Sequence, residues 1–487
     1  MQEYCIGIDF GTTNTAVVCI QDDKLGRRTR LLGENGEYPF SSIAAIPKSG
    51  GVLKFGRNVR EKRLELSDTH QVFTSMKSYL GTKHEFIVGE HRYSATDITA
   101  EFLKYVKQSV LDTHKIEISE AAFSFPVDFS PEARRDLYEA AELAGIQVKS
   151  FVSESTAAYL ANRKECSAFS KVMVLDWGGG TLDISILGLK GSEVHELSVS
   201  GYRVGGDDID RELANRMHSR IAAKSGITDG VGFGNMQPQE QDQMIMRCEE
   251  AKISISDYEE DEEEYHPLTV RNYGAYGTKT ENLSPEQFNA IVEPIIRNRV
   301  LSTIEDALKK AGLGRASIDA VIVVGGSSNL RVYENAIQNL FKDAKIIFPK
   351  KRQWSTAEGA ALLQLTGGEF RLNDDLGVLL SDDSVFPIFK KDKDGVGSKP
   401  IPTTFSLTED VRDAHFIFTD GSGKHTFQTI NVPTKGFLNE KLTLSAEIGE
   451  DQIARITINN PSMGKQRIQC EINQLTFHYD ISALDNV

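Results

Sequence analysis

The 487-residue chain is 40% hydrophobic and carries a formal net charge of −15, which excludes a disordered or fibrous polypeptide and leaves apolar material for more than one large core. That charge repels phosphate backbones, and with no basic stripe to offset it the sequence excludes a nucleic-acid partner. The cysteines (Cys5, Cys19, Cys166, Cys248 and Cys470) are an odd, scattered set without the pairing of a disulfide framework or zinc site, and no apolar run reaches membrane-spanning length, so the composition predicts a soluble, cytoplasmic protein without membrane contact.

Met1-Gln2-Glu3 leads straight into an apolar strand, Tyr4–Ile8, with no basic start and apolar signal core before it. The strand ends in Asp9-Phe10-Gly11-Thr12-Thr13, and a second strand, Ala16–Ile20, follows. Ser130-Pro131 predicts the start of a helix that Gly145 closes. The strand-turn-strand unit then recurs: Val172–Leu175, the turn Asp176-Trp177-Gly178-Gly179-Gly180-Thr181, and Ile184–Leu187. Two such units predict two similar lobes facing each other. Helices are expected at 208–224 and 284–311, the latter with an apolar stripe for the core and a capping Gly312. Between them, the glycine cluster 230–234 reads as a flexible loop and the acidic block 257–264 as a solvated one. Another apolar strand, Ala320–Val324, precedes Gly325-Gly326-Ser327-Ser328 and a helix. Mixed strands and helices to residue 368 predict an α/β region, after which short alternating segments at 414–419, 425–430, 442–448, 453–459 and 467–477 predict an all-β one.

The repeated turns carry the chemistry. Binding a triphosphate without a basic cage requires backbone N–H groups aimed at its oxygens, and glycine lets the chain approach closely enough. Gly11, Gly178, Gly179 and Gly180 supply such positions, and Thr12, Thr13 and Thr181 add hydroxyl donors. Asp9 and Asp176, at strand ends, suit the water shell of Mg²⁺, which dehydrates reluctantly. The loop of Gly325, Gly326 and Ser327 is a third candidate phosphate contact from the second lobe. A P-loop is excluded because G-x-x-x-x-G-K-[ST] does not occur.

These motifs, IGIDFGTTNTAVV at 6–18, VLDWGGGTLDISIL at 174–187, VGGDDIDREL at 204–213, EEAKISIS at 249–256 and VIVVGGSS at 321–328, resemble those of the Hsp70 (DnaK-type) family of the actin-like ATPase superfamily, in the same order. The resemblance implies a two-lobed actin-like (ribonuclease H-like) nucleotide-binding domain over 1–368, a linker at 369–380, and a β-sandwich at 381–487 like the Hsp70 substrate-binding β domain, without the helical lid. It implies that ATP and ADP bind with Mg²⁺, with K⁺ as a further ion, and that water attacks the γ-phosphate. Lys77 takes the role of the family's catalytic lysine, Glu154 and Asp183 those of carboxylates near the attacking water, and Thr181 completes the catalytic set. Asn14 belongs to the first phosphate loop, while Gly205, Gly206, Glu249, Lys252 and Ser256 match positions around ribose and adenine. Pro126 and Arg134 resemble residues that relay nucleotide state between domains.

The same resemblance implies an extended apolar peptide or a dedicated client protein as ligand, with a J-domain-type co-chaperone and a nucleotide-exchange factor as partners. Departures from the family pattern are Asn329 in place of an adenine-stacking arginine, Gln353 in place of an aspartate, Ser150 and Ser155 beside Glu154, and the segment EFRLNDDLGVLL at 369–380. Two other readings stay open from sequence: a nucleotide-sensing adaptor with little hydrolysis that docks one partner, and an actin-like filament protein or small-molecule kinase.

Overall fold

A computed structural model describes residues 4–23, 26–36, 38–127, 129–227, 231–257, 265–366, 369–464 and 467–481. Each strand-turn-strand unit seeds a sheet. In the first lobe Tyr4–Phe10 runs antiparallel to Asn14–Asp23 and parallel to Glu120–Phe125. Gln147–Ser153 and Gly26–Leu31 flank this group. In the second lobe Lys171–Trp177 runs antiparallel to Leu182–Lys190, which sets Asp176 opposite Asp183, and parallel to Ala320–Val324. All five residues of Ala320–Val324 are buried, as a continuous apolar run in a parallel pairing requires.

Helices Glu154–Cys166 and Ser355–Thr366 join the lobes at their base. Ala157, Leu160 and Ala360 share one core with Val18 and Ala122 of the first sheet and with Val174 and Ile322 of the second. The two helices touch backbone to backbone: a Cβ on Gly359 would lie 1.7 Å from the Ala157 carbonyl oxygen.

The helix expected at 131–145 forms over Pro131–Leu143, with Ser130 Oγ accepting from the Ala133 amide at 3.2 Å. The single helix expected at 284–311 instead divides into Pro285–Ile295, a π-helical turn at Ile296–Val300 and Leu301–Ala311. Pro294 is the physical reason, because it lacks the N–H that a regular ladder needs. Gly312 caps the last segment in the left-handed conformation at φ 66°. Apart from Asp257, which ends a helix, the acidic block lies outside the described residues, as do Gly230 of the glycine cluster and Gly367-Gly368. No helix among the described residues is long and apolar enough to cross a membrane.

Beyond residue 369 two four-stranded antiparallel sheets enclose one core, built from Leu376, Phe389 and Phe418 on one side and Leu444, Ile456 and Ile472 on the other. Two expectations change here. The stretch 369–380, read as a linker, holds the strands Glu369–Leu372 and Leu376–Leu379. The strand read at 467–477 stops at Ile472, and a separate return strand, Phe477–Asp480, crosses to the second-lobe sheet. There it pairs with Glu193–Tyr202 on one side and with Glu369–Leu372 on the other. The first and last described strands of the C-terminal region therefore both lie on the sheet of the second lobe. It also touches the first lobe: Arg134 reaches Gln452 Oε1 at 3.5 Å and the Asn473 carbonyl at 3.4 Å, and Gln452 Nε2 donates to the Phe151 carbonyl at 3.1 Å.

Candidate functional site

The two glycine turns meet face to face between the lobes. Gly11 lies so close to its own hairpin that a Cβ would sit 2.1 Å from the Asn14 carbonyl oxygen. Across the cleft, a Cβ on Gly179 would stand 1.9 Å from Thr13 Oγ1, and one on Gly180 would stand 3.3 Å from Thr12 Cγ2. Absence of side chains on the second turn thus allows the threonines of the first to approach. Thr13 Oγ1 is buried and has no hydrogen-bond partner among the described residues, so it is a donor available to an acceptor placed between the turns.

The second turn is braced by its neighbours. Gly178 N donates to the Thr181 carbonyl at 2.9 Å, and the Gly178 carbonyl accepts from Ser327 Oγ at 2.7 Å and from Gly206 N at 3.2 Å. The Gly179 carbonyl accepts from the Asp207 amide at 2.8 Å, and Gly205 packs where a Cβ would be 2.1 Å from that carbonyl. Gly325, at φ 87°, approaches within 2.5 Å of Asp176 Oδ1 as measured from an ideal Cβ. Gly326 faces open space. The third loop, expected to precede a helix, first makes a short 3-10 turn, Gly326–Asn329, before helix Arg331–Leu340, and Ser327 ties it to the second turn.

Below the turns lies a buried charge cluster. Lys77 Nζ donates to Glu154 Oε1 at 2.8 Å, with both side chains no more than 8% exposed. Asp9 accepts from Ser124 Oγ at 2.9 Å. Asp176 and Asp183 face each other across their strand pair. Burial pushes Asp9 up despite Lys77, and burial with the neighbouring carboxylates of Asp9, Asp176 and Asp183 drives Glu154 well above the usual carboxylate range. Asp176 is pushed up to about 8 by burial and by Asp9 and Asp183. Burial alone would lower Lys77, but Glu154, Asp9 and Asp183 outweigh it and keep the ammonium protonated. Four carboxylates around one ammonium lack positive charge, which a cation would supply. No three imidazole, thiolate or carboxylate groups among the described residues converge into a direct metal cage. The set fits a hydrated Mg²⁺, which Asp9 and Asp176 would hold.

The other expected residues gather beside the second turn. Lys252 Nζ bonds Asp210 Oδ2 at 2.6 Å and the Gly206 carbonyl at 3.1 Å. Ser256 lies one turn further along the same helix, its hydroxyl donating to the Lys252 carbonyl at 2.8 Å. Burial would raise Glu249, but Arg60, Lys252 and Arg63 hold it below the ordinary glutamate range. Asn14 Oδ1 faces Arg60 Nη1 at 3.5 Å, and Asn329 Nδ2 donates to the Gly326 carbonyl at 3.0 Å. Residue by residue, the turns, the lysine, the carboxylates and the 249–256 helix come together in one interlobe cleft.

Several participants were not anticipated. Arg60 and Arg63, on helix Arg57–Leu66 of the first lobe, reach across to the second: Arg60 pairs with Glu249, and Arg63 Nε bonds Asp242 Oδ2 at 2.8 Å. Their spacing of three on a helix was the available signal, but that helix is charged on most faces and gives no indication of what the arginines meet. A cavity of about 130 Å³ remains between the lobes, lined by Thr13, Ser42, Arg60, Asp207, Asp210 and Glu249 among others.

The profile of a family described as Hsp70 protein matches residues 52–363. The Chaperone protein DnaK of Ureaplasma urealyticum serovar 10 is 27% identical over 341 residues, which cover 70% of this chain and 54% of that protein. Two Ureaplasma parvum serovar 3 strains have proteins of the same name that match to the same extent. The chain spans about half the length of these curated relatives.

Proposed function

The chain belongs to the Hsp70 family, and from that premise we propose that it binds Mg-ATP between its lobes and slowly hydrolyses the γ-phosphate by in-line attack of water. The observation that carries this reading is the buried Lys77–Glu154 pair, set between the carboxylate-tipped strands of Asp9 and Asp176. Phosphoryl transfer to water depends chiefly on positioning and charge neutralisation. Lys77 offers a cation for the transferring group, and Glu154 and Asp183 offer acceptors that orient water and take its proton. Asp9 and Asp176 would hold the hydrated Mg²⁺, which neutralises phosphate charge. Thr12, Thr13 and the amides of both glycine turns bind the phosphates. Glu249, Lys252 and Ser256 face the nucleoside side, and K⁺ is the family's further ion.

The pairs Arg60–Glu249 and Arg63–Asp242 cross between the lobes beside the interlobe cavity, so nucleotide entry requires the lobes to part there. Single-turnover hydrolysis by the wild type and by Lys77→Ala and Asp176→Asn tests the assignment. A drop of about 10²-fold or more is expected for each variant, and equal rates, or no turnover in the wild type, would refute it.

In this reading nucleotide state alters how the C-terminal region, a β-sandwich of the substrate-binding type, holds an extended apolar peptide or client protein, with a J-domain-type co-chaperone and an exchange factor as partners. The adaptor reading draws support from the return strand, which fastens that region to the second lobe at both ends. Anisotropy of a labelled apolar peptide with ADP and then ATP separates the two. Nucleotide-dependent affinity supports the chaperone, and absent or nucleotide-independent binding supports the adaptor.

A further inference from the structure

Glu196 lies outside the glycine turns and the charge cluster, on strand Glu193–Tyr202, yet its Oε1 accepts three hydroxyls from around the start of the Glu154 helix. Ser153 Oγ donates to it, as do Ser155 Oγ at 3.2 Å and Thr156 Oγ1 at 3.2 Å. Ser153 is the N-cap of that helix, its Oγ also accepting from the Thr156 amide at 3.2 Å. Glu154 is the first helical residue, so a single carboxylate holds the residues on either side of it.

A register irregularity explains how Glu196 reaches this place. Ile186 is opposite Ser198 but Leu187 is opposite Glu196, which makes Leu197 an extra residue in its strand. Ser198 and Ser200 point to helix Leu301–Ala311, donating to the Ala307 carbonyl at 2.8 Å and to Asp306 Oδ2 at 2.6 Å. Under strict alternation Glu196 would share their face. The bulge turns it to the opposite one, where Leu187 and Val194 pack with Ala157 and Leu160. The residues just before it, Glu193, Val194 and His195, are those paired with Asp480, Tyr479 and His478 of the return strand.

We propose that Glu196 is a positioning residue for the Glu154–Lys77 pair, linking that pair to the strand on which the C-terminal region is seated. The inference rests on the ATPase reading for its kinetic consequence, though not for its structural one. A negatively charged acceptor with three donors fixes the first turn of the helix, and Glu154 has no freedom apart from that turn.

Single-turnover kinetics across ATP concentrations, with hydrogen exchange of amides 154–157, tests this in the full-length chain carrying Glu196→Ala or Glu196→Gln. For Glu196→Ala the expected result is a kcat lower by about tenfold with KM within about twofold, because displacement of a catalytic group is felt in the chemical step. Exchange at 154–157 should quicken while exchange at 13–16 in the first turn stays unchanged. Glu196→Gln retains an acceptor oxygen and the shape of the side chain, and should lose only about threefold in kcat with faster exchange at the same amides. Wild-type kcat and wild-type exchange in Glu196→Gln would overturn the proposal, as would kcat and KM changing in proportion. A wild type without turnover refutes the ATPase reading, and exchange at 154–157 then decides the positioning role alone: faster exchange supports it and unchanged exchange refutes it.

Discussion

The two lobe sheets begin alike and end differently. Each is seeded by an apolar strand, an aspartate, a glycine turn and an antiparallel return. The first sheet ends at its neighbour in sequence, Gly26–Leu31, whereas the second is extended by Phe477–Asp480 and Glu369–Leu372 from the far part of the chain. The shared beginning builds the two facing glycine turns, and the unshared ending receives the C-terminal region. In this molecule, then, a repeated strand-turn-strand scaffold is joined to the C-terminal region by sheet pairing on one lobe alone.

Breaking the unshared edge should have the largest effect. Tyr479 is 1% exposed and packs in the core between the lobes, so Tyr479→Ala should cost about 3 kcal/mol. Thermal melting would show the loss, and hydrogen exchange would show it concentrated at 193–195 and 369–372. A decrease in stability without faster exchange there would mean that the seam is incidental. Breaking the shared beginning should act on binding. Gly179→Ala places a methyl where Thr13 Oγ1 now lies, 1.9 Å away, and nucleotide affinity measured by calorimetry should fall about a hundredfold, or about 2.7 kcal/mol.

The charge cluster sharpens the comparison through pH. Burial holds Asp210 up to about 7 and Asp176 up to about 8, above the values of an unfolded chain. Each folded carboxylate retains a proton that the unfolded chain has released, so stability without nucleotide should fall as pH climbs from about 4 to about 8 and level off above it. Melting in the absence of divalent cations checks the sign, and Asp210→Asn should flatten the part of the decline below pH 7. The smallest effect concerns the cleft mouth. Arg60→Ala removes the partner of Glu249 and should speed ADP release by about fivefold, or about 1 kcal/mol, in stopped-flow exchange.

Most of the scaffold was legible in the sequence because its signals are local. The apolar run Ala320–Val324, the cap at Ser130-Pro131 and the stop at Gly312 each declare an element within a few residues. The return strand was not legible, since alternation over 467–477 announces a strand without saying which sheet receives it. The break after Ile472 depends on contacts distant in sequence, including the Asn473 carbonyl meeting Arg134 and the Thr476 carbonyl accepting from Asn373. The site divides in the same way. The glycine turns could be read from local sequence, but Lys77 and Glu154 lie far apart in sequence: each was singled out only through family resemblance, and their pairing was not foreseen. Arg60 and Glu196 went unnoticed because a charged residue on a polar helix or strand gives no sign that a partner lies across the fold.

The pairing of Leu372 with Phe477 and of Glu369 with Asp480 has a consequence for chain topology. Everything between those two strands leaves the second-lobe sheet and returns to it through one doorway, as a guest sequence spliced into the loop of a β-hairpin would. A short type I′ turn joining Leu372 directly to Phe477 would restore that hairpin, so the whole of the intervening β region enters the fold as the content of one loop.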